Sequence, residues 1–443
     1  MTVLAQRIPD SSCIPGRTAA VEPLLPVVGA DLQAPLVTGG SRRYANLDYA
    51  ASAPALACVA GRVAEVLPTY ASVHRGAGYA SRLSTALYED SRATIGAFVG
   101  ARPDDVAVVV RNTTDALNLL AGCVPDGGRV VVLDVEHHAN FLPWQRLEHA
   151  VVPFAGTLEQ TLADLELEVA TAPTALVAVT GASNVTGEEL PIEWITAVAH
   201  AHGARVVVDA AQLAPHRRID IAASDVDYVT LSGHKLYAPF GAGVLVGRRD
   251  WLDEATPYLA GGGAVLSVCG DATEWAPAPA RHEAGTPNVI GTAALAAACA
   301  ALEQLDPGAL EVHEETLRER LVEGLTGLEG VAVHRIWPDS PSSIGVVTFT
   351  VDGYEPGLVA AVLSAEDGIG VRDGKFCAHP LLARLGLPGG AVRASVGAGS
   401  RLDDVDRLVA ALRDLLTSGP RWSYELLDGR WSPGVRPASA ASR

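Results

Sequence analysis

The segment Ala204-Arg-Val-Val-Val-Asp-Ala-Ala-Gln212 decides the fold. A β-branched run that ends on a polar residue is typical of a buried parallel strand whose carboxyl end faces a ligand site. The preceding residues, 191–203, start with proline, carry apolar side chains at helical spacing and end on glycine, which predicts a helix. A helix that leads into a buried strand is part of a βαβ unit.

This alternation of strand and helix patterns continues along the chain. Short β-branched runs, separated by helical stretches, occur at residues 106–110, 129–133, 175–180, 204–209, 228–232 and 243–247. Such a series predicts an α/β fold with a mostly parallel sheet that is covered on both faces. After Gly291 the pattern changes to an alanine-rich helix, an acidic helix and short strands, which predicts a smaller α+β domain.

These changes of pattern predict four parts of the chain. We expect an N-terminal arm at 1–45, a large domain at 46–290, a small domain at 291–418 and a C-terminal tail at 419–443. The arm contains prolines, glycines and serines without periodicity, and the tail ends in proline, alanine and serine.

The composition excludes several classes of protein. Of 443 residues, 49% are hydrophobic and 19% are charged, which excludes disorder for most of the chain. The net charge of −18 makes nucleic acid and anionic membranes poor partners. Without a long apolar stretch or a signal peptide, a cytoplasmic location is expected. The six cysteines form no C-x-x-C pair, so we expect free thiols and no metal site.

A lysine closes the segment Ser232-Gly-His-Lys235, which follows the next predicted strand. At the carboxyl edge of a sheet a lysine loses hydration, so its pKa falls and its neutral amine can form a Schiff base with an aldehyde cofactor. Asp209, at the neighbouring strand end, is suited to keep a pyridinium nitrogen protonated. Taken singly, Lys235 would more often be a solvated loop lysine and Asp209 a helix cap, so the hypothesis depends on their pairing.

With these two motifs and six others, the chain resembles the class V aminotransferase group of pyridoxal-phosphate enzymes, and within it the group II cysteine desulfurases and selenocysteine lyases. The further motifs are Leu47-Asp48-Tyr49-Ala50-Ala51, Val73-His74-Arg75-Gly76, Asn112-Thr113-Thr114-Asp115-Ala116-Leu117-Asn118, Glu136-His137-His138-Ala139-Asn140, Glu283-Ala284-Gly285-Thr286-Pro287 and Val371-Arg372-Asp373-Gly374-Lys375-Phe376-Cys377. The resemblance, over about residues 46–418, implies the type I fold, with a mostly parallel seven-stranded sheet and a smaller α+β domain. It also implies a pyridoxal 5′-phosphate cofactor and a homodimer with active sites at the subunit interface.

A phosphate site is expected where a predicted strand meets the following helix. Thr113 and Thr114 stand there, and free N–H groups at a helix start, together with hydroxyls, form an anion site. The resemblance adds Ser232 and His234 as phosphate contacts. It also adds Thr286, contributed by the neighbouring subunit.

The resemblance further implies which residues surround the cofactor ring. His137 would stack on the ring and move protons at the substrate carbon, whereas the adjacent His138 is expected to be structural. Asn184 and Gln212 would steady the ring hydroxyl and the Schiff base, and Asp209 would bind the ring nitrogen.

Arg393 is the main candidate for substrate binding. It lies on a predicted short strand, and the resemblance implies that it binds the substrate α-carboxylate, which a guanidinium fork matches with two hydrogen bonds. Arg372, His74, Arg75 and Ala51 are further candidates for substrate binding.

Cys377 differs from the other cysteines in its surroundings. It lies in Asp373-Gly-Lys-Phe-Cys-Ala-His-Pro380, where glycine gives flexibility and a lysine and a histidine favour the thiolate. The resemblance implies that this thiolate attacks the sulfur of cysteine, or the selenium of selenocysteine. The products would be alanine and a persulfide that passes to an acceptor protein. The expected catalytic residues are therefore Lys235, His137 and Cys377.

Two segments depart from the desulfurase pattern. Lys375-Phe376 stands where two histidines are usual, and Val396-Gly-Ala-Gly-Ser400 replaces a more polar, aromatic turn. Two alternatives therefore stay open. One is a pyridoxal-phosphate C–S lyase, aminotransferase or epimerase of a modified amino acid, with Cys377 uninvolved. The other is a non-catalytic binding protein on the same fold.

Overall fold

The computed structural model describes residues 21–434 of the chain. Residues 1–20 of the predicted arm and 435–443 of the predicted tail therefore lie outside the described residues. The remaining part of the arm packs on the body of the protein, since the N–H groups of Leu24 and Leu25 both donate to the Ala398 carbonyl.

The described residues form nineteen strands and twelve α-helices. The strands are β1 (Gln33–Pro35), β2 (Ser41–Arg43), β3 (Ala45–Asn46), β4 (Val106–Val110), β5 (Arg129–Leu133), β6 (His149–Val152), β7 (Thr174–Thr180), β8 (Arg205–Asp209), β9 (Tyr228–Ser232), β10 (Gly243–Gly247), β11 (Val265–Cys269), β12 (Ala272–Trp275), β13 (Val331–His334), β14 (Val346–Val351), β15 (Ile369–Gly370), β16 (Arg372–Gly374), β17 (Ala391–Ser395), β18 (Tyr424–Leu427) and β19 (Arg430–Pro433). The helices are α1 (Ala57–Val66), α2 (Tyr79–Phe98), α3 (Thr113–Ala121), α4 (Leu158–Thr171), α5 (Ile192–Ala201), α6 (Ile221–Ser224), α7 (Asp250–Glu254), α8 (Val289–Glu303), α9 (Ala309–Thr326), α10 (Pro356–Asp367), α11 (His379–Arg384) and α12 (Leu402–Ser418).

A seven-stranded sheet in the order β4-β10-β9-β8-β7-β5-β6 forms the centre of the protein. Only β10 runs antiparallel to its neighbours in this sheet, which confirms the predicted mostly parallel α/β architecture. The six strands expected from the sequence are all present. The strand pattern missed β6, because this edge strand has four residues and is partly exposed, so it lacks the long apolar run of a central strand.

Both faces of this sheet are buried. Along β5, Val131 and Leu133 belong to one apolar cluster, and Val130 and Val132 belong to the cluster on the opposite face. Since successive side chains of a strand point to opposite faces, helices must cover both sides. Polar side chains can therefore contact a ligand at the ends of the central strands.

A second, four-stranded sheet lies within the predicted small domain. Its order is β13-β14-β17-β16 and every pair is antiparallel. It has its own apolar cluster, to which α9, α10 and α12 contribute. The short strand β15 pairs with β3 and so connects the N-terminal segment to this part of the chain. The exact domain boundaries stay a prediction.

The C-terminal hairpin β18-β19 packs against α10 through one buried carboxylate. Glu366 is 2% exposed and accepts hydrogen bonds from the Arg421 N–H and guanidinium, the Trp422 N–H and the Tyr424 hydroxyl. At the other end of α10, Trp431 Nε1 donates to Glu355. These contacts predict that Glu366 anchors the hairpin.

Replacing Glu366 tests this anchor. In Glu366→Gln the guanidinium of Arg421 loses one of its two ionic partners and keeps only Asp367. We therefore expect the free energy of unfolding to fall by about 1–3 kcal/mol. Glu425→Gln, on an exposed position of the same hairpin, is the matched control and should change it by less than about 0.5 kcal/mol. Urea unfolding followed by circular dichroism measures both. Equal losses in the two variants would contradict the anchor.

Candidate active site

A cavity of about 420 Å³ lies at the carboxyl ends of the central strands and faces the second sheet. It brings together thirteen of the residues expected from the sequence. They are Ala51, Thr113, Thr114, His137, Asn184, Asp209, Gln212, Ser232, His234, Lys235, Arg372, Cys377 and Arg393. The cavity therefore brings together residues that are more than 300 positions apart in the chain.

One wall of the cavity is the N-terminus of α3. The Thr113 N–H donates to Ser232 Oγ (2.8 Å), and the Ser232 hydroxyl donates to Thr113 Oγ1 (3.0 Å). Asn112 caps the helix by accepting the Asp115 N–H (3.0 Å). The first turn of α3 therefore points N–H groups and a positive dipole end toward the cavity beside Thr114, which suits a bound anion.

Lys235 and Asp209 lie at the ends of neighbouring strands. Asp209 is the last residue of β8 and is 4% exposed, and Lys235 follows β9. Burial lowers the pKa of Lys235 to about 8, although attraction to Asp209 opposes this. Burial raises the pKa of Asp209, and the charge of Lys235 partly offsets that effect. The lysine therefore has a considerable neutral fraction near pH 8, as a nucleophilic amine requires.

His137 is held in one orientation as an uncharged imidazole. Its Nδ1 accepts the Ala139 N–H (3.0 Å), so the ring proton is on Nε2. Burial lowers the pKa of His137 to about 3, and the charges of Lys235 and Arg393 contribute. Because the ring is neutral over the physiological range, it can accept a proton only through a change of tautomer or of environment.

Two amide side chains border the cavity and differ in their bonding. Gln212 donates from Nε2 to the Ala50 carbonyl (2.7 Å), while its Oε1 is buried without a hydrogen-bond partner among the described residues. Asn184 donates from Nδ2 to the Phe376 carbonyl (2.8 Å), and its backbone carbonyl accepts from Arg393 (2.7 Å). Gln212 thus has an acceptor available for a ligand, whereas the Asn184 amide holds the loop that contains Cys377.

Arg393 is 3% exposed and shares a carboxylate with Arg372. Asp48 accepts from Arg393 through Oδ1 (3.3 Å) and pairs with Arg372 through Oδ2 (2.8 Å). Burial lowers the pKa of Arg393 to about 10, against the opposing effect of Asp48. Arg393 Nε is buried and has no partner among the described residues. The pair of guanidinium groups is therefore suited to a second carboxylate.

Cys377 lies on an exposed loop that closes the cavity from the side of the second sheet. Its carbonyl accepts the His138 N–H (2.8 Å), and the His138 ring meets the His379 ring at 4.6 Å. The sequence interpretation of His138 as structural therefore fits its role here, which is to hold the cysteine loop. Cys377 lines the same cavity as Lys235.

The sequence reasoning assigned no role to three residues of this region. Glu136 is 1% exposed, accepts from Asn140 and from the Thr180 N–H, and burial raises its pKa to about 8. Asp48 lay within a quoted motif, but its two arginine partners are distant in sequence. Phe376 stood out only as a departure from the histidines of the desulfurases.

Three predicted residues lie outside the cavity. His74 and Arg75 are exposed, with His74 bonded to Glu89 (2.7 Å), and Thr286 is exposed on the loop before α8. Since the sequence placed Thr286 in the site of a neighbouring subunit, a single chain does not test that expectation. The substrate contacts of His74 and Arg75 stay predictions as well.

A larger cleft of about 910 Å³ lies elsewhere on the surface. Its charged groups already pair with each other, as in the contacts of Asp227 with His200 (2.8 Å) and with Arg248. The smaller cavity, with its unpaired Gln212 and Arg393 atoms, is therefore the candidate active site. Within residues 21–434 there is no cluster of side chains suited to a metal ion, and none of the helices there is long and apolar enough to cross a bilayer. The cytoplasmic location stays a prediction.

Comparisons with known proteins agree with this geometry. The family model for aminotransferase class-V matches residues 45–408. A probable cysteine desulfurase 2 of Mycobacterium leprae is 38% identical over 391 residues, which are 85% of this chain and 92% of that protein. A cysteine desulfurase of Klebsiella pneumoniae is 37% identical and covers 83% of this chain and 92% of its own length.

Solved structures give the same result for the fold. The cysteine desulfurase CsdA of Escherichia coli superposes with a TM-score of 0.75 at 32% identity, and a cysteine desulfurase of Thermococcus onnurineus with 0.78 at 34% identity. Each match covers 84% of this chain and 94% of the other. The type I fold implied by the sequence motifs is confirmed.

The lowered pKa of Lys235 can be measured by amine labelling, because the chain has only two lysines, Lys235 and Lys375. A protonated amine does not react, so labelling of Lys235 should increase with pH about a midpoint near 8. The exposed Lys375 is the internal control for the reactivity of the reagent at each pH. Reductive methylation of cofactor-free protein with peptide mass spectrometry measures both.

Asp209→Asn sharpens this test. Since Asp209 stabilises the charged amine, its replacement should move the Lys235 midpoint to lower pH and leave Lys375 unchanged. A Lys235 midpoint at the ordinary lysine value of about 10.4 in the parent protein would show that burial does not lower the pKa of Lys235.

Proposed function

The chain belongs to the class V aminotransferase family, and we propose that it is a pyridoxal-phosphate-dependent cysteine desulfurase that takes sulfur from L-cysteine, or selenium from L-selenocysteine. The product would be L-alanine, with the sulfur on Cys377 as a persulfide. One observation supports this most strongly: Cys377 lines the same cavity as Lys235, Asp209 and Arg393. The desulfurase relatives support the same reaction.

The cavity has the donor set that pyridoxal 5′-phosphate requires. Enzymes of this family use this cofactor, and here the α3 N-terminus with Thr113, Thr114, Ser232 and His234 would hold its phosphate. Asp209 would hold the ring nitrogen, and the free Oε1 of Gln212 offers an acceptor beside the ring. A buried amide oxygen without a hydrogen-bond partner among the described residues, as at Gln212, supports a bound cofactor.

The cofactor supplies an electron sink for the α-carbon of a bound amino acid. Lys235, with its pKa near 8, would act as the amine that holds the cofactor and then as a proton carrier at that carbon. His137, neutral and with its proton on Nε2, would face the ring and assist this transfer. Asn184 would contact the ring hydroxyl through Oδ1 or through its second Nδ2 hydrogen, because the first is bonded to the Phe376 carbonyl.

The substrate would be oriented by its carboxylate. Arg393 presents a buried guanidinium, and Arg372 stands beside it on the other side of Asp48. A substrate carboxylate would replace Asp48 as the partner of Arg393, while Asp48 keeps its contact with Arg372. Ala51 borders the cavity with a small side chain that leaves room for the substrate.

Cys377 would then take the sulfur. Its thiolate attacks the substrate sulfur, and a new S–S bond forms while the C–S bond of the substrate breaks. The electron pair of the broken bond stays with the carbon skeleton, which takes up a proton and leaves as alanine. The terminal sulfur of the persulfide would pass to the thiol of an acceptor protein.

Cys377→Ser separates this reaction from the alternatives. The nucleophile is lost while the cavity keeps its shape, so alanine formation from L-cysteine should fall by on the order of a thousandfold, with the cofactor spectrum unchanged. Cys58→Ser, on the exposed face of α1, is the control and should keep parental activity. Alanine, sulfide, pyruvate and keto acids are assayed separately.

A Cys377→Ser enzyme that still releases sulfur from L-cysteine at the parental rate would favour a C–S lyase. Keto acid as the main product of the parent would favour an aminotransferase. Selenocysteine is not a suitable substrate for this test, since selenium leaves more readily and the thiolate is less needed.

We also propose a homodimer in which Thr286 completes the phosphate site of the partner. The exposed position of Thr286, outside the cavity of its own chain, supports this. Exposed Leu266 (64%) and Val268 (62%) on β11 offer apolar surface for a second copy.

A heterodimer of Lys235→Ala and Thr286→Ala subunits tests this arrangement. If Thr286 acts across the interface, one site carries both defects and the other carries neither. Spectral titration should then show half of the sites with parental cofactor affinity. A preparation without any site of parental affinity would place Thr286 in the site of its own subunit, and a monomer in sedimentation would contradict the dimer.

A further inference from the structure

Phe376 precedes the proposed sulfur-carrying Cys377 in the chain and contacts Arg393, the arginine proposed to bind the substrate carboxylate. Its side chain is 9% exposed, and the guanidinium carbon of Arg393 lies 5.1 Å from the centre of its ring. A cation over an aromatic face at this distance is attracted by the ring quadrupole, and more strongly when water is excluded. Both groups here are buried, so the contact holds Arg393 on one side.

The backbone at Phe376 is held in an unusual conformation. Phe376 and Cys377 have φ values of 51° and 53°, in the left-handed region that residues with a Cβ seldom adopt. Each carbonyl of this pair accepts a hydrogen bond, from Asn184 Nδ2 and from the His138 N–H (2.8 Å each). Such a conformation persists only where the surroundings determine it. The two hydrogen bonds therefore fix the backbone that carries the Phe376 ring.

Asn184 completes a closed set of contacts with Phe376 and Arg393. Its side-chain amide donates to the Phe376 carbonyl, and its backbone carbonyl accepts from the Arg393 guanidinium (2.7 Å). One nitrogen of the guanidinium is therefore held by the Asn184 backbone carbonyl, and the guanidinium lies over the Phe376 ring. Its remaining donors are Nε, which has no partner among the described residues, and the nitrogen shared with Asp48.

We propose that Phe376 is a positioning residue that orients Arg393 for the α-carboxylate, and that it determines selectivity for amino acids over amines without that group. This inference rests on the proposed function, since it assigns a carboxylate to Arg393. Phenylalanine cannot itself donate a hydrogen bond to the carboxylate, so recognition depends on the guanidinium that it supports. A residue that merely fills the core could be replaced by an aliphatic side chain of similar size, whereas an aromatic platform could not.

The experiment compares Phe376→Leu with Phe376→Tyr in the holoenzyme. L-alanine, which has the α-carboxylate but no sulfur, and ethylamine, which has neither, are titrated by the visible absorbance of the bound cofactor. In the leucine variant the dissociation constant of L-alanine should rise by about 3- to 30-fold, while that of ethylamine stays unchanged. The tyrosine variant keeps the aromatic face and should bind both ligands like the parent.

Steady-state kinetics with L-cysteine give a second readout. The leucine variant should show a KM increased by a similar factor with a smaller change in kcat, and tyrosine should restore the parental KM. A leucine variant that binds L-alanine like the parent, or that weakens L-alanine and ethylamine equally, would overturn the proposal. If the leucine variant does not fold, Phe376→Met, which also lacks the aromatic face, carries the same expectation.

The ligand titration does not depend on sulfur chemistry. A parent enzyme that forms no alanine from cysteine would contradict the proposed function but leave the comparison of L-alanine with ethylamine intact. If the parent enzyme forms alanine and Phe376→Leu binds L-alanine like the parent, only the proposed role of Phe376 is contradicted.

Discussion

The removal of Lys235 from bulk water beside Asp209 is the constraint on which the rest of the site depends. A sheet that is buried on both faces leaves only its strand ends for polar chemistry, and these two residues follow adjacent strands there. Loss of hydration lowers the pKa of the lysine and raises that of the aspartate, while their mutual attraction limits both shifts. A reactive amine and an acidic partner thus arise from the position of two strand ends.

The second sheet supplies the groups that would act on the substrate. Arg393 lies on β17 and Cys377 follows β16, so two neighbouring strands bring the guanidinium and the thiol to the same cavity. Asn184, in the loop that follows β7 of the large sheet, bonds to both the arginine and the cysteine loop. The orientation of the substrate carboxylate and the place of the thiol are therefore physically coupled through one residue.

Much of this could be predicted from sequence, because strand periodicity and the motifs around Asp209 and Lys235 depend on neighbours close in the chain. The pairing of Asp48 with two arginines more than 300 residues away could not, because nothing in local sequence encodes such a distance. The contact of Phe376 with Arg393 could not be predicted either, because it depends on how β16 pairs with β17. β6 was missed because a short, partly exposed edge strand lacks an apolar run.

The most direct test of the central claim is mass spectrometry of the peptide that contains Cys377 after a single turnover with L-cysteine, together with measurement of the alanine released. We predict one added sulfur atom on Cys377 for each alanine formed. The persulfide should disappear when a reductant or an acceptor thiol is added. Alanine or pyruvate formed in equal amount while Cys377 stays unmodified would contradict the account.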